Sequence, residues 1–448
     1  MRIGLIAMNG IRIGDPGLIQ LGLSSPGLRE RVGALESLPS LALLTLAGMT
    51  PAAHQVDYLE VPSINSLTGI PGPFDLVGIS SYSAQIHEAY ELARRLREHG
   101  TTVVMGGPHV TCLPAEAAEH CDAVAIGEGE PIWLRILGDF QQRRLSKFYG
   151  SRASTFDLDC SPLPAFELLD ASKRNRITIQ TSRGCPHRCN FCASSGVVLS
   201  SRYKQKPVAK VLRELDKVRE LWKRPFIEFV DDNAFVNKGY WTALLPELAR
   251  RRVRWFAESD ISVGYDRELL SLMRKSGCAE VLIGLESPTP VGLNGVELKS
   301  NWKLRMWAKY KEAVKSIQSQ GIRVIGCFVL GLDGHTQATA ASILKCAEEL
   351  ELFDVQVTVQ TPFPGTPLYE TLKQQGRLLS DNQWSKCTLF DVNFSPAGMT
   401  PGQLERAFRE LCEQLYSPEL VDRRRRSFRS YLRAAANPVN SKGALVAS

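Results

Sequence analysis

The chain has 448 residues, 44% hydrophobic and 23% charged, a composition that excludes a disordered or fibrous protein and gives length for two or three domains. Its net charge of +7 is local: residues 421–448 carry Arg423, Arg424, Arg425, Arg426, Arg429, Arg433 and Lys442 against Asp422 alone, leaving about +1 elsewhere, too little for a general nucleic-acid surface. No apolar run nears the ~18 residues of a membrane span, and MRIGLIAMNG lacks a signal-peptide pattern, so a soluble cytoplasmic protein without a membrane partner is expected.

The first 140 residues alternate short apolar runs with helical patterns. RIGLIA reads as a strand, LPSLALLTLAGM as a helix, and HQVDYLEV and DLVGISS as strands. AQIHEAYELARRLREHG follows as a helix closed by Gly100, then TTVVMGG (strand), LPAEAAEH (helix) and DAVAIGEGE (strand into turn). This order predicts βαβ units and an open, doubly wound parallel sheet, whose ligands bind beyond the carboxyl ends of the strands. Residues 141–175, with TFDLDCSPLPAF, read as a linker. A second alternation then supplies strands at 176–181, 226–231, 253–258, 280–286, 323–331 and 353–361, with helices such as PVAKVLRELDKVRELW between them. Six βα units predict a partial (β/α)6 TIM-like barrel over 176–380. Residues 381–448 read as an α-rich appendage, its RRRR run a solvated helix face before a loose tail or a contact for an anionic partner.

TSRGCPHRCNFCASS follows the first strand of that second alternation. Eight of the eleven cysteines are dispersed and read as small buried apolar residues, and an odd count without a secretion signal does not suggest a disulfide framework. Cys185, Cys189 and Cys192 differ. Loops at strand ends carry the chemistry of βα barrels, and thiolates at this spacing can ligate three irons of a [4Fe–4S] cluster that otherwise takes four cysteines. The alternative from the residues alone is zinc, with His187 completing a Cys3His set.

The C-x3-C-x2-C spacing, with Phe191 before the third cysteine, resembles the signature of the radical S-adenosylmethionine (radical SAM) superfamily. The resemblance implies a cluster held by Cys185, Cys189 and Cys192, its fourth iron open to the amino and carboxylate groups of SAM. An electron from the reduced cluster then cleaves a carbon–sulfur bond, usually giving a 5′-deoxyadenosyl radical. A one-electron donor such as a flavodoxin or ferredoxin is implied as a partner. IEFVDDNAF resembles the segment that contacts the SAM amino group and nominates Asp231 and Asp232; the plain alternative is that these acids cap the next helix. AESD and IGLES resemble ribose-contacting positions and nominate Glu258, Ser259, Gly284, Glu286 and Ser287, with Gly284 permitting close backbone approach. QTPFPGTPLYE, with Pro362 and Pro364, resembles the loop closing the barrel near the adenine.

Residues 1–140 resemble the cobalamin-binding domain that precedes many radical SAM barrels, through VVMGGPHVTCLPAEAA and AVAIGEGEP. The resemblance places Asn9, Ser80, Gly106, Gly107 and Gly127 at one sheet edge facing a corrin ring. The chain departs from one cobalamin signature: it has no Asp-x-His-x-x-Gly, and the corresponding VPSINSLTG has no histidine. Cobalamin is therefore expected without histidine ligation, or the domain is a non-binding one. The leading expectation is a cobalamin-dependent radical SAM methyltransferase acting on a small-molecule or peptide natural-product intermediate. The alternatives are a radical SAM enzyme without cobalamin, catalysing cyclisation, rearrangement or transfer of the 3-amino-3-carboxypropyl group, and a corrinoid- or metal-carrying protein with a vestigial barrel. No catalytic residue and no substrate is assigned.

Overall fold

The computed structural model describes residues 1–24, 38–153, 156–194 and 203–436. The chain forms two compact units. One draws on 1–16, 30–225 and 361–394, the other on 17–29, 226–360 and 395–448.

The first unit is built on strands β1 (Arg2–Met8), β2 (Gln55–Val61), β3 (Leu76–Ser80), β4 (Thr102–Gly106), β5 (Ala123–Ile126) and β6 (Phe148–Gly150). They form one parallel sheet in the order β2-β1-β3-β4-β5-β6. In β1 every residue from Ile3 to Met8 is buried, because a central parallel strand is covered on both faces and needs apolar side chains on each. Its alternate residues feed two cores. Ile6 and Met8 pack with Val77, Ile79, Leu92 and Leu96, while Leu5 and Ala7 pack with Leu76, Leu43, Trp133 and Ile136. The helices covering these faces are Ile86–Glu98 on one side and Leu41–Met49 with Trp133–Gln141 on the other. The expected doubly wound fold is thus present.

Two details differ from the sequence expectation. Residues 141–175 are not only a linker, since β6 adds a sixth strand there; FYG is three residues long, too short for a periodic signal. GGPHVTC also forms a helical turn, Pro108–Cys112, before Pro114–Ala118, each opened by a proline whose fixed φ suits a first helical position. The segment 361–394 belongs to this unit as well: Tyr369, Trp384 and Cys387 share the core of Ile6 and Leu92. Strand β7 (Arg176–Ile179) and the two-stranded antiparallel pair β8 (Ser182–Arg183) and β9 (Lys204–Gln205) complete it.

The second unit carries β10 (Phe226–Phe229), β11 (Arg254–Ser259), β12 (Cys278–Glu286), β13 (Arg323–Leu330) and β14 (Asp354–Val359). Each pairs in parallel with the next, the chain-order arrangement that successive βα units produce. Trp241, Trp255, Phe229 and Phe235 fill one end of its core, with Phe229 edge-on to Trp241 at 5.3 Å. Helix Pro401–Leu415 starts on a Thr400/Gln403 capping box, and Tyr416 Oη beyond it donates to Val355 O (2.9 Å). The basic run lies in helix Pro418–Ala436, where Arg424 is buried and Arg423 pairs with Glu348 (2.7 Å), so the run is not wholly a solvated face. Lys442 and the remaining tail lie outside the described residues. No described helix is long and apolar enough to cross a membrane.

Candidate functional site

The parallel register brings β1, β3, β4 and β5 to a common carboxyl edge, with Ala7 opposite Ser80 and Ser80 opposite Gly106. Asn9, Ser80, Gly106, Gly107 and Gly127 therefore gather as expected. The three glycines have different reasons to be there. Gly107 (φ +102°) and Gly127 (φ +82°) occupy left-handed backbone that disfavours other residues, and a Cβ on Gly127 would sit 2.5 Å from Ser151 O. Gly106 has neither constraint; a Cβ there would meet Ala125 at an ordinary 3.4 Å. Its bareness is not demanded by the fold and suits a large ligand lying against the strand end. The Asn9 carboxamide oxygen is buried without a hydrogen-bond partner, as is that of Gln85, whose Nε2 donates to Gly10 O at 2.7 Å. Buried acceptors left open at a strand edge suit a ligand carrying N–H donors.

His109 is not free to ligate a metal. It is 1% exposed, with Nδ1 at 2.9 Å from Ser83 Oγ and Nε2 at 3.2 Å from Glu116 Oε1. Burial pushes the Glu116 carboxyl up, but hydrogen bonds from His109, Trp384 and Tyr90 outweigh it and hold it at about 2. This network ties GGPH to the 361–394 segment as structure.

Cys185, Cys189 and Cys192 follow β8 as thiols outside any disulfide, and all three are partly exposed. The Cys192 N–H donates to Cys189 O (3.2 Å), and Leu368 N donates to Asn190 O (3.0 Å), securing the turn that carries the partly exposed Phe191. Most dispersed cysteines behave differently: burial pushes the thiols of Cys112, Cys121 and Cys346 up to about 11 and those of Cys387 and Cys412 to about 12, which suits inert core residues. Three accessible thiols in one short segment are the donor chemistry an iron–sulfur cluster takes. Among the described residues no group of three or more His, Cys, Asp or Glu side chains is already gathered to hold a metal ion.

In the second unit Asp231 is buried and Asp232 exposed beyond β10. Neither caps the next helix, Lys238–Arg251: its cap is Asn237, whose side chain accepts from Tyr240 N (3.1 Å). On β11 Glu258 is exposed, while the buried Ser259 donates its hydroxyl to Asp260 O (3.1 Å). The end of β12 is the most constrained point. Glu286 takes φ +62°, and its buried carboxylate pairs with Lys303 Nζ at 2.9 Å. Lys303 also donates to Gly284 O (2.7 Å). A Cβ on Gly284 would overlap the Glu286 carboxylate, so the space that glycine leaves is filled from within the chain.

Ser287 is fully buried and bonded to His335 Nε2 (2.9 Å). The Gly331 N–H donates to His335 Nδ1 (3.3 Å), which makes Nε2 the protonated nitrogen and donor to Ser287 Oγ, and Ser287 passes its own proton on to Thr289 O (3.2 Å). Desolvation pushes the His335 imidazole down to about 4. Sequence reasoning missed both Lys303 and His335. His335 sits in GLDGHT just past β13, where a strand-end rule could have found it; Lys303 lies in a helical turn with no distinguishing signal. Pro362 and Pro364 precede Thr366, which caps helix Pro367–Gln374 by accepting from Tyr369 N (3.2 Å).

Residues 179–347 match the Radical SAM superfamily and residues 34–136 the B12 binding domain, while 366–447 match a domain of unknown function (DUF4070). The chain is 25% identical to the bacteriochlorophyllide d C-8(2)-methyltransferase of Chlorobaculum tepidum over 77% of this chain and 78% of that one. It is 26% identical to the hopanoid C-2 methylase of Rhodopseudomonas palustris over 86% and 73%. Among solved structures it shares a fold, at TM-score 0.66 and 15% identity over 97% and 99% of the two chains, with the radical S-adenosylmethionine methyltransferase TsrM of Kitasatospora setae, which has cobalamin and a [4Fe–4S] cluster bound.

Proposed function

From a chain that belongs to the radical SAM superfamily, in the subclass with a B12-binding domain, we propose a cobalamin-dependent methyl transfer to a small-molecule or peptide intermediate. The observation that carries it is the pairing, in one chain, of the accessible thiol segment with a parallel-sheet edge kept bare at Gly106. When bound, a [4Fe–4S] cluster and cobalamin supply an electron to SAM and a carrier for its methyl group. Cys185, Cys189 and Cys192 would hold the cluster, with Phe191 within the same turn. Asp231, Asp232, Glu258, Ser259 and Glu286 would bind and orient SAM, carboxylates suiting its ammonium and ribose hydroxyls, and Gly284 and Ser287 would support that turn from within the chain. Asn9 and Gln85 would accept N–H donors of the corrin periphery, Gly106 would let it approach, and Ser80, Gly107 and Gly127 would line the same edge. A cytoplasmic flavodoxin- or ferredoxin-type donor delivers the electron.

His109 is committed to Ser83 and Glu116, which favours cobalamin held without a histidine ligand. Anaerobic purification with iron, sulfide and corrinoid analysis, followed by product identification, tests the reading. The expected products are 5′-deoxyadenosine with S-adenosylhomocysteine. A preparation that never carries corrinoid overturns methyl transfer by this route, and methylthioadenosine as coproduct would mark aminocarboxypropyl transfer instead.

A further inference from the structure

The turn GEGEP that ends β5 has a role that its place in a B12-binding domain does not supply. Glu128 Oε1 accepts from Arg183 Nη1 (2.5 Å) and from Lys204 Nζ (2.6 Å), and Glu130 Oε1 accepts from Arg183 Nη2 (2.8 Å). Glu128 Oε2 accepts from Lys204 Nζ (2.8 Å) and Phe156 N (2.5 Å), and Lys204 also donates to Phe156 O (2.9 Å). Side chains of all four charged residues are three-quarters buried or more. Burial opposes the charge on Glu128, yet Lys204 and Arg183 hold its carboxyl below the usual range.

Arg183 and Lys204 are not arbitrary cations. They are the inner pair of strands β8 and β9, directly opposite each other in an antiparallel register, at the two ends of the segment that contains Cys185, Cys189 and Cys192. Like charges directly opposite across a strand pair repel, and a ladder of two register pairs is too short to stand alone. Glu128 reverses the sign of that interaction by accepting from both cations at once. The entry and exit of the cysteine segment are thus held together by carboxylates from a turn 53 to 76 residues upstream.

We propose that Glu128 and Glu130 are positioning residues for the cluster ligands, a carboxylate latch that closes the Arg183–Lys204 stem so that the three thiols are presented as one ligand set. The proposal rests on the reading of those cysteines as cluster ligands. It goes beyond that reading by making cluster retention depend on the B12-type domain, at the residue that follows Gly127.

Chelator-driven iron release from anaerobically reconstituted full-length protein tests it, with iron and sulfide per chain and the electron paramagnetic resonance line shape of the reduced cluster as companion readouts. E128Q leaves two facing cations and is expected to release iron about tenfold faster, as supporting residues around metal ligands commonly do. The double variant E128Q/K204Q removes the repulsion and is expected to recover most of that loss; a general folding defect would not be rescued by deleting a second hydrogen-bonding partner. E130Q, which disturbs Arg183 alone, is expected to show a smaller acceleration of about threefold and keeps the test open should E128Q fold poorly. E128Q, or E130Q in its place, releasing iron at the wild-type rate overturns the latch, as does an E128Q/K204Q variant no better than E128Q. A wild-type chain that takes up no iron overturns the cluster assignment itself, a result distinguishable from the first two.

Discussion

Two strand ends in this protein place a glutamate at a left-handed turn, and they do so by opposite means. At the end of β5 the left-handed position is Gly127 (φ +82°), and the carboxylate of Glu128 follows in relaxed backbone. At the end of β12 the left-handed residue is Glu286 itself (φ +62°), although Gly284 stands two positions earlier. A non-glycine side chain there costs on the order of 1–2 kcal/mol. The first turn avoids that cost because only the backbone has to bend, whereas the second bears it to put one carboxylate where Lys303 and the strand end require. The contrast separates a carboxylate used as a brace from one held in strain, the condition expected of a ligand-binding residue.

The largest effect is expected from removing the strained carboxylate. E286A should relieve the φ strain only in part and leave the buried Lys303 ammonium without its counter-charge, a net loss of about 3 kcal/mol of stability by chemical denaturation. SAM binding by equilibrium dialysis should fall to background; retained binding would show that Glu286 is a brace like Glu128. G284A comes next, since its methyl displaces both Glu286 and Lys303, and a loss of SAM affinity of about tenfold or more is expected with a smaller stability loss.

His335 offers a pH test of the same turn. Its imidazole titrates near 4 in the folded chain against 6.5 ordinarily, so between these values the unfolded chain binds more protons. Stability should fall as pH drops from 6.5 towards 4, by about 3 kcal/mol at most, and H335Q should flatten that slope in a series of thermal melts. In the first unit G127A should cost about 1–3 kcal/mol through its φ and the Ser151 carbonyl, while G106A should leave stability nearly unchanged and lower corrinoid bound per chain. Smallest is R423A on the exposed helix, where the pair with Glu348 is worth less than 1 kcal/mol in melting experiments.

Much of the architecture is legible from local pattern. Apolar runs such as IGLIAM and LVGIS mark buried parallel strands because both faces are covered, and Gly100 at φ +80° closes its helix where the spacing puts it. The reading weakens where elements are short or aperiodic. FYG offers no repeat to detect, and Tyr369, Trp384 and Cys387 join the first unit's core from a turn-rich stretch without periodicity. At the sites, the family resemblance nominated Glu286 and Ser287, and a strand-end rule could have added His335, but no local signal marks Lys303; Asp231 and Asp232 are separated from helix caps by Asn237, which takes that role.

Legible from the chain alone is whatever depends on near neighbours: the spacing of Cys185, Cys189 and Cys192, the alternation that makes parallel sheets, and the positions of the strand ends. Only the tertiary structure decided which carboxylate meets which cation, that Glu128 joins Arg183 to Lys204 and that Glu286 bends backwards to reach Lys303. The physical reason is range. Thiol spacing and strand periodicity are written within a few residues, whereas a buried ion pair exists only after strand order and register have carried distant residues to within 3 Å of each other.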